Sequence, residues 1–255
     1  MRWPMYQLDK AEQARAERDI RAAFARWKEQ ESADLLERAR KRAGNELEVS
    51  ALMEPYVGTR YALKGKHGPQ RIVILSADAG AADAVDFDKR REEFGEHFSA
   101  LPDSPHLRGT LLALQSWFGT AELTIRVDGT DAPLMDCFAM LNATPFAISR
   151  PESGSNNSHV TPGLARRSAG LIKTLVEALQ PNLVVAQGNL AWEALEVFRK
   201  EGLVWEQTKA ASGLYFLPVA HPSARGKLSW SSTDSAYFKE MVQPGIHEAR
   251  KQLGL

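Results

Sequence analysis

The chain has 255 residues, 44% of them hydrophobic and 25% charged, which excludes a disordered or fibrous protein. Lys plus Arg and Asp plus Glu balance at 32 each, so total charge neither demands nor excludes nucleic acid, which a local basic rim would have to meet. The single cysteine, Cys137, excludes an intramolecular disulfide and any all-cysteine zinc or iron–sulfur centre within the chain, and neither metal nor cofactor is expected.

Met1 to Lys10 lacks the basic-then-apolar pattern of a secretion signal, and no apolar run approaches the roughly 20 residues of a membrane span. A cytoplasmic protein without membrane contact is expected. From Asp9 to about Arg42, charged residues alternate with Ala, Ile20, Phe24, Trp27, Leu35 and Leu36 at spacings that suit amphipathic helices packed on a main domain.

Arg71 to Leu75 is a short apolar run that ends in Ser76-Ala77-Asp78-Ala79-Gly80, the pattern of a strand leaving a parallel sheet buried on both faces. Similar runs at Phe138–Leu141, Leu183–Ala186 and Leu214–Val219 predict four buried strands. Between them, Leu107 to Phe118, Leu164 to Leu179 and Leu190 to Lys200 read as helices; Pro181 stops the second and Asn189 is placed to cap the third. The alternation predicts an α/β sandwich of three layers around a four-stranded, mainly parallel central sheet. Its division is a helical appendage over 1–50 and a catalytic domain over 51–255.

In such sheets a ligand binds beyond the carboxyl ends of the strands. Asp78 follows the first strand, Asn142 closes the second and His221 follows the last in His221-Pro222-Ser223, so one sheet edge offers a carboxylate, an amide and an imidazole. Singly, each has a plain alternative as a turn-capping or loop residue. Together they suit polarising a heterocycle and positioning a water. Downstream, Ser223, Arg225 and Lys227 suit phosphate contacts, and Trp230 is either a base-stacking side chain or a residue folded back on the core. Glu152 to Pro162, rich in Ser, Asn and Gly, reads as a loop near the same edge.

These segments resemble the uracil-DNA glycosylase superfamily. Ile74 to Gly80 resembles its first motif, in which a strand ends in a turn whose Asp positions the hydrolytic water; Ser76 and Ala79 replace the family's Gly and Pro. Leu141-Asn142 resembles the strand whose terminal Asn reads the flipped base, and Val185 to Ala191 matches the strand-Gly-helix pattern before the last motif. Leu217 to Ser223 resembles the His-Pro-Ser motif that closes the site and precedes the loop wedged into DNA. The resemblance, from about Pro69 to Ser223, implies a glycosylase acting as a monomer on duplex DNA with a flipped nucleotide, or on single-stranded DNA. It implies Asp78 and His221 as catalytic residues and Asn142, Ala77 and Gly80 around the base. A stacking aromatic is also implied, with Phe87, Phe94 and Phe98 as candidates and Phe94 assigned to the base.

Gly80 stands where strict uracil enzymes carry a Tyr that blocks pyrimidine carbon 5, so a larger base is expected, such as thymine or a glucosylated hydroxymethylcytosine of phage DNA met in antiviral defence. Two rival readings stand beside this one: a catalytically silent reader of modified bases, and a nucleotide or small-molecule hydrolase. The last lacks the glycine-rich phosphate loop it would need.

Overall fold

The computed structural model of the protein describes residues 5–43, 48–49, 52–77, 86–94, 100–146, 148–149, 160–200 and 213–255. Helix α1 (Lys10–Gln30) starts at Asp9, whose carboxylate accepts the Glu12 N–H and satisfies one of the donors that a helix start leaves open. Ile20, Phe24 and Trp27 share its buried face, the i, i+4, i+7 spacing visible in the sequence. Helix α2 (Ser32–Ala43) follows directly and buries Leu35 and Ala39.

Five strands form the main sheet: β1 (Tyr56–Val57), β2 (Ile72–Ser76), β3 (Ala139–Asn142), β4 (Leu183–Gln187) and β5 (Tyr215–Val219). Their order is β5-β4-β2-β3-β1, with parallel neighbours throughout except for β1, which runs antiparallel to β3. The protein is therefore an α/β protein with a five-stranded, mixed, mainly parallel sheet and N-terminal helices. The four predicted strands are all present. The fifth, β1, escapes a reading of periodicity because two residues make no period.

Strand geometry turns successive side chains to opposite faces, and the buried residues sort accordingly. Val73, Leu75, Ala139, Leu141, Val184 and Ala186 join one core cluster, and Ile72, Ile74, Met140, Leu183 and Val185 join the other. The first is covered by α1, α2, α5 (Pro162–Arg167), α6 (Ala169–Leu179), α7 (Asn189–Ala194) and α8 (Glu196–Lys200). The second is covered by α4 (Pro105–Phe118) and α9 (Gln243–Leu253). Ile20, Phe24 and Trp27 thus lie in the same core as the central strands, and Arg71, at the foot of β2, pairs with Glu12 of α1. The short helix α3 (Phe87–Phe94) lies between β2 and α4 in the chain.

Two predicted helices are each divided. The run from Leu164 to Leu179 breaks at Ser168, whose hydroxyl turns back to the Leu164 carbonyl at 3.2 Å, and the run from Leu190 to Lys200 breaks at Leu195. Apolar periodicity continues through both breaks, so only the backbone shows them. Asn189 is the first residue inside α7 and does not cap it; Gly188 holds the cap position at φ +92°, a conformation costly for any residue with a Cβ.

Among the described residues strand β5 is an edge. Its Tyr215 N–H bonds the Asn182 carbonyl at 2.8 Å, so by alternation Leu217 and Val219 also face β4, while Phe216 and Pro218 face outward. Among the described residues no helix is long and apolar enough to cross a membrane.

Candidate active site at the sheet switch point

From β2 the chain passes through α4 on one face and enters β3. From β3 it returns through α5 and α6 on the other face and enters β4, on the far side of β2. The connections diverge between β2 and β4, and at such a point the carboxyl ends of the strands border a crevice. Ser76 and Ala77 reach it from β2, Asn142 from β3, Gln187 and Gly188 from β4, and His221 just after β5. Ser76 and Asn142 are paired in register, and the next pair of backbone bonds, Ala143 N–H to Ser76 O at 2.7 Å and Thr144 N–H to Ala77 O at 3.3 Å, holds the two strand ends together.

Asn142 is only 8% exposed, yet its Nδ2 has no hydrogen-bond partner among the described residues. A buried amide donor without a partner is costly in a folded protein, by about 1–3 kcal/mol, and a ligand acceptor would satisfy it.

His221 sits in a turn whose geometry defines its tautomer. The Ser223 N–H reaches Nδ1 at 3.3 Å, and Ser223 Oγ lies 2.7 Å from the same atom. An amide only donates, so Nδ1 accepts and the neutral ring carries its proton on Nε2. Nε2 has no partner among the described residues, which leaves it as a donor for a ligand. Burial holds the ring's pKa below the usual histidine value, favouring this neutral donor form.

The turn is fixed from both sides. A Cβ on Gly188 would lie 3.2 Å from His221 Cβ, and one on Gly109 of α4 would lie 2.5 Å from Pro222 Cβ. Replacing Gly109 by Ala should therefore push α4 and the His-Pro-Ser turn apart, at a cost of about 1–3 kcal/mol, seen as a lower denaturation midpoint at an unchanged slope.

Trp230 is fully buried, with its indole N–H bonded to the Ala220 carbonyl at 2.6 Å, and the Tyr237 hydroxyl accepts the Ala220 N–H at 2.9 Å. The stacking role considered for Trp230 is corrected by this burial: the ring supports the turn from beneath and has no face open to a base. Ser223, Arg225 and Lys227 are exposed, and so is Leu228, at 52%. Sequence reasoning passed over this Leu, whose one signal was an apolar residue beside Arg225 and Lys227.

Asp78, Gly80 and Phe98 lie outside the described residues, as do 151–159 of the Ser- and Asn-rich loop. Phe94 ends α3, and its side chain is likewise outside the description. Phe87 is buried in the core, with the guanidinium groups of Arg21 and Arg91 at 3.9 and 4.7 Å from its ring centre, so it is packing and not a base platform.

A second imidazole enters that the sequence did not announce. His106, in the first turn of α4, stacks on His221 with ring centres 5.4 Å apart and planes 6° from parallel, and its Nε2 lies 2.8 Å from Ser76 Oγ. Burial, reinforced by the neighbouring His221 and by Arg90, pushes its pKa down to about 4, against a small opposing pull from the Gln187 amide. Gln187 is fully buried; its Nε2 reaches Thr110 Oγ1 at 3.4 Å, and its Oε1 meets no donor at hydrogen-bonding geometry although the side chain lies near His106.

No protein-family model matches the chain, and no curated protein matches it. Function has to be argued from the crevice itself. Among the described residues no three His, Cys, Asp or Glu side chains converge as metal ligands. The crevice offers instead an amide donor unpaired among the described residues, a neutral imidazole donor and, on the loop after His221, exposed basic residues.

Proposed function

We propose that the protein is a monofunctional DNA glycosylase of the uracil-DNA glycosylase type, with that superfamily's three-layer sandwich, acting as a monomer on DNA with an extruded pyrimidine. The observation that carries the reading is that Asn142 Nδ2, without a partner among the described residues, and the Nε2–H tautomer of His221 stand on the same sheet edge, where β2 leads into Asp78. Breaking the bond between C1′ and the base nitrogen leaves the electron pair on the base and builds positive charge on the sugar. His221 donates from Nε2 to the departing base, Asn142 donates to its edge, and Asp78 orients the water whose oxygen joins C1′.

Extruding the nucleotide costs a few kcal/mol, which phosphate contacts and an inserted side chain offset. Arg225 and Lys227 supply the former and Leu228, exposed next to them in the chain, the latter. Leu228→Ala is expected to slow base release from duplex DNA by about tenfold or more and to leave release from single strands nearly unchanged, since only the duplex requires extrusion. Equal losses on both substrates would remove Leu228 from this role.

The substrate proposed is a pyrimidine substituted at carbon 5, on the strength of Gly80, with phage DNA carrying glucosylated hydroxymethylcytosine as one source and antiviral defence as the setting. The deciding experiment incubates the protein with duplexes containing uracil, mismatched thymine or glucosylated hydroxymethylcytosine and scores alkali-labile abasic sites. Release of uracil alone would overturn the enlarged pocket. Tight binding with no base released would replace the enzyme by a silent reader.

A further inference from the structure

The crevice holds a group that the reading above does not use. His106 belongs to α4, not to any strand end, yet its ring lies in an offset stack beside His221, parallel within 6° and 5.4 Å away between centres. Three contacts from three elements fix this arrangement. Ser76 Oγ of β2 lies 2.8 Å from His106 Nε2; the buried Gln187 of β4 lies beside the ring and is tied to Thr110, one turn along α4; and Gly109 lets the helix approach Pro222 so closely that a single methyl group would collide. Each of these residues is buried or half-buried, so the stack is a built part of the fold.

We propose that His106 is a positioning residue for His221: held by Ser76, its ring shields part of the His221 imidazole from water and keeps it an uncharged Nε2–H donor. The stack explains why two histidines are placed in contact where one would serve as a donor. A flat, polarisable neighbour in an offset stack takes part of the ring's surroundings away from water, and an imidazole so deprived of water resists protonation. The order of protonation follows. His221, the less enclosed ring, takes a proton first, and that charge then opposes a second one on His106.

The groups facing the pair are few among the described residues. Arg90 acts on His106, and the Tyr237 hydroxyl sits on Ala220 N–H next to His221. Ser76, Gln187, Thr110, Gly188 and Ser223, which line the rest, do not titrate in this range. Arg225 and Lys227, on the loop that carries His221, are exposed and screened by solvent.

The inference rests on the glycosylase reading only for what His221 does; the state of the ring is measurable without any substrate. The test is a nitrogen-15 NMR titration of the histidine rings from pH 4 to 8 in the wild type, His106→Ala and His106→Phe, with the His221 signals assigned by their loss in His221→Gln. In the wild type, His221 should be an Nε2–H tautomer that titrates before His106. In His106→Ala its midpoint should rise by about half a unit or more toward the free value, and in His106→Phe, which keeps the covering ring, it should stay in place.

An Nδ1–H tautomer in the wild type overturns the proposal with no variant needed. So does an unmoved midpoint in His106→Ala, or an equal rise in both variants. Base release measured on the same samples separates the two claims. Expected titrations with no base released leave His106 its role and sink the enzyme; normal release with no shift does the reverse.

Discussion

His221→Ala is expected to lower the rate of base release at saturating DNA by about 10²–10³-fold, equivalent to about 3–4 kcal/mol of transition-state stabilisation, with DNA affinity little changed. The direction follows from the proposed reaction: Nε2 of the ring has no partner among the described residues, so in that reaction its donor is free to meet charge that develops as the base leaves. Asn142→Leu should show a comparable loss of rate with a different companion effect. Because Asn142 Nδ2 is buried and unpaired among the described residues, deleting it removes a standing cost of about 1–3 kcal/mol, and the leucine variant should unfold at equal or higher denaturant. A site residue whose removal stabilises the fold while abolishing turnover is held for its chemistry. Lower stability together with full activity would place Asn142 among ordinary packing residues.

The second large effect is on stability against acid. His106 has a folded-state pKa near 4 against 6.5 for an unhindered histidine, so below 6.5 the unfolded chain binds a proton that the folded chain refuses. The stabilisation associated with the neutral ring is complete above pH 6.5 and is lost as pH falls from there to about 4, by roughly 3 kcal/mol in all. His221, whose pKa is also lowered by burial, adds to the loss in the same direction. His106→Phe, with a ring that cannot titrate, should flatten this decline. Equilibrium denaturation of the two proteins at pH 7, 5.5 and 4 measures the difference, and parallel declines would show that His106 is already charged or water-exposed in the folded protein.

Much of the scaffold was legible because its strands are buried on both faces. Ile72 to Ser76 and Leu183 to Gln187 are unbroken apolar runs that stop at a polar residue, and that stop is where the sheet meets the crevice. The positions of Asn142 and His221 follow from the same logic. What remained hidden was set by tertiary contact. His106 stands behind a Pro at a helix start, and nothing in its neighbours in sequence shows that α4 will lay it on His221. Trp230 shares a segment with Arg225 and Lys227 and so invites the same exposed role, but its direction is decided by the Ala220 carbonyl, ten residues back. Ser168 and Leu195 break helices whose apolar pattern runs on, since the pattern records which side faces the core and not where the axis turns.

The outermost strand of the sheet carries a consequence for how molecules of this protein meet one another. An open edge recruits a further strand through its row of free amide protons, the first step of aggregation by sheet extension. On β5 that row is nearly empty. The backbone nitrogen of Pro218 points outward with no proton to give, and the Ala220 proton beyond it is already bonded to Tyr237, which leaves the Phe216 amide as the outward donor of the described strand. A single donor cannot set a register, so this border is a poor template for another copy.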